Sequence, residues 1–209
     1  MNIITVEQLI NCKGEVDMIQ IIGIIELFIF YVAYFIKLFD QKRRGIKTNQ
    51  LGIGNKSTNT VIIESILSLS SIFVALVILI NAMFNISLFS NQIVRVGGLV
   101  LFGCGTLLFV LAMVTMKDSW RAGIPEKDNT LLVVTGIYKI SRNPAFLGFD
   151  LTYIGASLAY GSIILFILAV LTIIMMHLQI LEEEKFLEIT FGNEYLVYKN
   201  KVGRYFIFF

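Results

Sequence analysis

Residues 144–177 read PAFLGFDLTYIGASLAYGSIILFILAVLTIIMMH, and this run decides the fold. One crossing of a hydrocarbon core ~30 Å thick needs about 20 apolar residues, so the run is too long for a single span. Tyr160-Gly161-Ser162 interrupts it near the middle, and a glycine there leaves helical geometry at little steric cost. The stretch is therefore expected to form a tight hairpin, with a short helix over about 145–159 and a second over about 162–181. Pro144 suits a first helical turn and keeps Asn143 out of helical geometry. Arg142 and Asn143 are thus expected on a loop at the mouth of a membrane helix, where free N–H groups can meet a polar or anionic ligand.

Working outward, the composition agrees with a bilayer setting. The 209 residues are 56% hydrophobic with a mean hydropathy of +0.79, too apolar for a soluble globule. Upstream of the hairpin lie three further candidate spans, 18–38 with the single acid Glu26, about 60–80, and about 92–115. Downstream, EEEKFLEITFGNEYLVYKNKVGRYF reads as a cytoplasmic amphipathic helix broken at Phe191-Gly192. The aromatic residues 205–209 suit a membrane surface. The expected fold class is an all-α integral membrane protein with about five transmembrane helices, the last two a tight hairpin, plus that C-terminal helix. Residues 1–115 form a three-span scaffold and 116–209 the loop, hairpin and C-terminal helix, in one integrated domain.

Charge placement orients the chain. Of its 17 Lys and Arg, 15 fall after span one, between spans three and four, or after span five, while Lys13 and Arg95 fall on the other side. By the positive-inside rule the N-terminus is outside and the C-terminus cytoplasmic. The Arg-Asn-Pro loop and the Glu182-Glu183-Glu184 run then share the cytoplasmic face. Residues 1–17 carry no basic segment with a small-residue cleavage site, so the first apolar run is read as a retained helix. A bacterial inner membrane and the endoplasmic reticulum fit equally well.

Other functional classes find little support. A net charge of +2, with basic residues placed by topology, gives no footprint for nucleic acid. Cys12 and Cys104 offer neither a disulfide framework nor metal-ligand spacing. Gly148, Thr152, Gly155 and Ala159 make a small-residue stripe for close helix approach. Beside it run Asp150, Tyr153, Ser157 and Tyr160; Asp150 is either an interior hydrogen-bonded acid or part of a substrate entrance. Trp120 reads as an interfacial belt residue. His177, the only histidine, is either a proton acceptor or a helix-end residue bonded to a neighbour.

The run LLVVTGIYKISRNPAFLG, followed by LEEEKFLEITFGNEYLVYKNKV, resembles the isoprenylcysteine carboxyl methyltransferase family and its phospholipid methyltransferase relatives. The resemblance covers roughly residues 116–204. It implies an integral membrane enzyme that takes a methyl group from S-adenosyl-L-methionine, with no metal. It also implies cofactor contacts at Thr130, Leu131, Leu132, Val133, Tyr138, Asn143, Pro144, Ala145, Phe146 and Glu183. Glu184 is the neighbouring choice for Glu183. A catalytic set of Glu183, Glu184, Arg142 and His177 follows from the same comparison, with Arg142 holding the loop or meeting the cofactor carboxylate. Three positions depart from the family pattern. Asn143 stands where many members have His, Phe146 lacks the usual tyrosine hydroxyl, and Thr130 replaces a His. Gln179 lies about where the prenylcysteine enzymes keep an Arg for the substrate carboxylate, so Gln179 and Asp150 are the substrate-side candidates.

The expected function is methyl transfer to a hydrophobic lipid or lipid-modified acceptor that enters from the bilayer. Methylation of a phospholipid amine is one alternative. A non-catalytic membrane protein that keeps the fold as a binding module is the other.

Overall fold

The protein is described from a computed structural model that covers residues 18–84, 91–125 and 130–205. Cys12, Lys13, the Glu126-Lys127-Asp128 run and residues 206–209 lie outside the described residues. Helix α1 is Met18–Arg43, α2 Thr58–Phe84, α3 Gln92–Met116, α4 Pro144–Tyr160, α5 Ile163–Phe191 and α6 Asn193–Lys199. Short 3-10 turns at Lys117–Ser119 and Gly136–Lys139 shape the connection between α3 and α4. No strand occurs among the described residues. Four helices, α1, α2, α3 and α5, are long and apolar enough to cross a membrane.

The hairpin forms as the glycine requires. Gly161 adopts φ +56° and closes α4, and Ser162 caps α5 through Leu165 N. Helix α4, at 17 residues, rises about 25 Å, which leaves it short of a full span by length. Four long helices rather than five therefore meet the length and hydropathy needed to cross.

Helix α5 corrects the expected break after the fifth span. Its 29 residues extend about 43 Å, so residues 182–191 are its last turns and not a separate amphipathic helix. Glutamate and lysine are good helix formers, and nothing in EEEKFLEITF stops the helix before Gly192 at φ +52°. Only the seven-residue α6 follows as a distinct C-terminal helix.

The closest packing lies between α3 and α4, where the small-residue stripe meets Gly98 and Gly105. A Cβ added to Gly155 would stand 2.4 Å from Phe102 N, and one on Gly148 2.7 Å from Phe109 N. On the facing helix, a Cβ at Gly98 would stand 2.4 Å from Ala159 N, and one at Gly105 2.6 Å from Gly148 O. Backbones this close leave no room for side chains, which is the packing that small residues permit within a bilayer. Beside the seam an aromatic cluster locks α1 to both helices. Phe30 stacks on Phe109 at 4.6 Å and meets Phe149 edge-on at 5.2 Å.

Two connections fold together at the end of the bundle where α1 closes. Asn49 and Ala122 make a parallel bridge. Gln41, fully buried, donates from Nε2 to the Trp120 carbonyl at 3.1 Å and accepts from Thr48 Oγ1 at 2.6 Å.

Overpacking distinguishes the seam from the lipid face. Gly155→Ala should destabilise the protein by about 1–3 kcal/mol. Gly97→Ala, with no atom within 4 Å of the new Cβ, should be neutral or stabilise it by up to about 1 kcal/mol through helix propensity. Thermal unfolding of both variants in one detergent tests the pair, and equal midpoints would contradict the packing.

Candidate active site

Asn143 is the hinge between loop and helix. It holds φ −128° and ψ 49°, with Pro144 at the first helical position, and so stays out of the helical region that a following proline disfavours. Its backbone N–H donates to Ser141 Oγ at 3.1 Å and its side-chain Nδ2 to the Arg204 carbonyl at 3.2 Å. Arg142 is anchored through both terminal nitrogens of its guanidinium. Its guanidinium donates to the carbonyls of Lys199 and Val202 at 2.8 and 2.9 Å and to Glu184 Oε1 at 2.8 Å. Arg204 completes the clamp with 3.0 and 2.8 Å bonds to the two Glu184 oxygens. That carboxylate holds the Arg204 guanidinium above its ordinary range.

This clamp ties the loop before α4 to the chain after α6 and leaves the neighbouring glutamate for another role. Glu184 is absent from the cavity wall, whereas Glu183 lines a cavity of about 350 Å³. One side of that cavity is the strip Thr130, Leu131, Leu132 and Val133, with Tyr138, Arg142, Asn143, Ala145 and Phe146. Pro144 lies beneath it, buried but not on the wall. Tyr138 is buried; its carbonyl accepts from Tyr198 Oη at 2.7 Å. Burial, with Glu183 nearby, pushes the Tyr138 phenol up, so it stays protonated at physiological pH.

The rest of the wall is apolar and reaches into the bundle. Phe30, Leu67, Phe149, Tyr153 and Met176 line it from α1, α2, α4 and α5. Trp120 also lines it, which corrects its expected place in an interfacial belt. The ring is 6% exposed and meets Phe109 edge-on at 5.6 Å. The 3-10 turn at Lys117–Ser119 bends the chain back over the end of α3. Trp120 Nε1 is buried without a hydrogen bond.

The substrate-side and acid–base candidates separate. Gln179 lines the cavity, 1% exposed, and its Nε2 donates to both Glu64 Oε1 at 3.2 Å and Glu183 Oε1 at 3.1 Å. His177 is off the wall, paired through Nδ1 with Tyr205 Oη at 2.8 Å, which fits the helix-end alternative. Asp150 is also off the wall, with Oδ1 buried and without a hydrogen bond.

Glu64 escaped the sequence reading. It is fully buried on α2, where it accepts from Gly52 N at 2.7 Å, Lys56 Nζ at 2.6 Å and Ile124 N at 3.1 Å. The available signal was an acid within an apolar span, which usually marks a buried polar contact.

Residues 93–194 match the phospholipid methyltransferase family. Over 119 residues the chain is 33% identical to the protein-S-isoprenylcysteine O-methyltransferase of Saccharomyces cerevisiae, a match that covers 54% of this chain and 49% of that protein. The chain thus spans about half the length of the curated relative it matches. The family segment holds the strip, the Arg-Asn-Pro loop and the α5 acids, whereas α1 and α2 lie outside it.

The clamp and the cavity acid should respond differently to loss of charge. Glu184→Gln strands two guanidiniums that now share one carboxylate, and breaking such a buried pair costs about 3–5 kcal/mol. Glu183→Gln keeps an acceptor for Gln179 and should lower stability by less than about 1 kcal/mol. Thermal melts in detergent separate the two, and a larger loss in Glu183→Gln would refute this division of roles.

Proposed function

We propose that the chain is an integral membrane methyltransferase that uses S-adenosyl-L-methionine and methylates a hydrophobic acceptor. One observation carries this reading. The Thr130–Val133 strip, Asn143 and Glu183 come from three separate places in the chain and line a single cavity, whose other wall is apolar and lies among the long helices. A cavity of about 350 Å³ falls at the lower end of the range typical of small-molecule sites.

The residues present fit the cofactor. It carries a sulfonium and a zwitterionic amino-acid end, and the wall offers the Glu183 carboxylate, the Arg142 guanidinium and the Asn143 amide. Tyr138 and the unpartnered Trp120 Nε1 provide aromatic surface and a donor. When bound, S-adenosyl-L-methionine supplies an electrophilic methyl carbon, and alignment with the acceptor is the main requirement. In this reading Asn143, Tyr138 and Glu183 bind and orient. Arg142 and Glu184 hold the loop in register, and Phe30, Leu67, Phe149 and Met176 keep water from the apolar end. Glu183 is also the group within the cavity able to take a proton from an acceptor that carries one.

The acceptor enters from the bilayer between the helices, and the polar cofactor from the aqueous face. The charge bias supports a cytoplasmic site, with α4 counted as a fifth, short crossing, the N-terminus outside, and α6 resting at the membrane surface. The yeast relative is named for methylating protein S-isoprenylcysteine, and a lipid-modified acceptor of that type is the first reading. A phospholipid amine is the second. It draws on the Gln179 amide nitrogen, which is committed to Glu64 and Glu183 and has no proton left for a substrate carboxylate.

Purified protein in nanodiscs should bind S-adenosylhomocysteine saturably. Asn143→Ala and Glu183→Ala should weaken binding about tenfold or more, as loss of a charge-assisted or amide hydrogen bond implies, with the folded fraction unchanged. A well-folded wild type that binds none would overturn the reading. With binding established, a lipid acceptor panel distinguishes a base-labile ester from a base-stable amine product. Binding without turnover on any fraction would favour the non-catalytic module.

A further inference from the structure

Glu64 joins three parts of the molecule that the chain order keeps apart. Its Oε2 accepts from Gly52 N and Lys56 Nζ in the α1–α2 connection, and its Oε1 from Ile124 N and Gln179 Nε2. Two of these partners, Ile124 and Gln179, line the cavity, as do Leu51 and Gly123 beside the bonded segments. The Lys56–Glu64 pair is buried, with side-chain exposures of 6% and 0%.

Burying a carboxylate this completely is costly unless every lone pair is used. Here each oxygen accepts two bonds, one from a backbone N–H and one from a side chain. The side-chain partner on Oε1 is the informative one. Gln179 Nε2 carries two protons and spends them on Glu64 Oε1 and Glu183 Oε1. The amide cannot be turned over without setting its oxygen against two carboxylates. Glu64 therefore dictates how Gln179 stands, and Gln179 dictates where Glu183 Oε1 is held.

We propose that Glu64 is a positioning residue that orients the Glu183 carboxylate in the cavity through Gln179, with Lys56 balancing its buried charge. The role rests on the cofactor-site reading given above, since Glu183 is the group being aimed. It comes from α2, outside the family segment, so it is a contribution of this chain's own N-terminal helices to the shared half of the site.

A double-mutant cycle on S-adenosylhomocysteine affinity in nanodiscs tests the role. Glu64→Gln and Glu183→Gln should each weaken binding about tenfold, and the double variant should be no weaker than Glu183→Gln alone, because residues in one hydrogen-bond network couple. Gln179→Leu, which leaves the Lys56–Glu64 pair and both loop N–H bonds intact, should show the same coupling to Glu183→Gln. It replaces Glu64→Gln if that variant does not fold. Gln41→Ala is the structural comparison. It loosens the same connections through Trp120 and Thr48 without touching Gln179, so it should lower the melting temperature and combine additively with Glu183→Gln. Additive losses for Glu64→Gln or Gln179→Leu with Glu183→Gln, in a wild type that binds, would overturn the positioning role alone. Absence of binding by folded wild type would overturn the cofactor reading and the role with it.

Discussion

The structure depends on how it compensates carboxylates taken out of water at the end of α5. An isolated buried charge costs several kcal/mol, and here three acids, Glu64, Glu183 and Glu184, are withdrawn from solvent within a short distance of the cavity. Glu184 is matched by Arg142 and Arg204, and Glu64 by Lys56. Glu183 has a single amide donor, Gln179, and faces the cavity. The clamp around Glu184 determines where the Arg-Asn-Pro loop lies, because Arg142 is bonded at once to α5 and to the chain after α6. The network around Glu64 determines where the α1–α2 connection lies. Of the three, Glu183 is thus the acid without an ion pair among the described residues.

A second constraint holds these parts at the right height. The α3/α4 seam allows backbone contact at Gly98, Gly105, Gly148 and Gly155, so α4 starts beside the aromatic cluster of Phe30, Phe109 and Phe149. The loop that precedes Pro144 is consequently brought against the cavity. On the other side, α5 rises about 28 Å from Ile163 before it reaches Glu182, close to the thickness of a hydrocarbon core of ~30 Å. The acids therefore emerge where the apolar slab ends, in reach of the loop.

Much of this was legible in the sequence because it is local. Pro144 announces a helix start, Gly161 a helix end, and the stripe through Gly148 and Gly155 a close partner, though the stripe does not name α3. Glu183 was expected at a cofactor site from a motif resemblance, and in the structure it lines the cavity. The unread portion is non-local. Glu64 is one acid among Ile, Leu and Ser in α2, and its four partners come from three separate stretches of chain. Trp120 looked like a belt aromatic because its burial arises only when the turn at Lys117–Ser119 folds it onto Phe109. The continuation of α5 through residues 182–191 was hidden by charge: EEEK reads as the end of a membrane span, yet those residues favour helix.

The division of the cavity between segments bears on what the family resemblance can say. Residues 93–194 supply the strip, the loop, Gln179 and Glu183, while Phe30, Tyr31, Tyr34, Leu67, Ser68 and Ser71 come from α1 and α2. Under the proposed reading, the residues named for the methyl donor all fall within the matched segment. The wall from α1 and α2, hydroxyl-bearing at Tyr31, Tyr34, Ser68 and Ser71, lies outside the family match, so the resemblance says nothing of what it meets. Glu64 lies on the same helix as Leu67, Ser68 and Ser71 of that wall and reaches across to Gln179, which ties the N-terminal half of the cavity to the acid of the matched half by one hydrogen-bonded path.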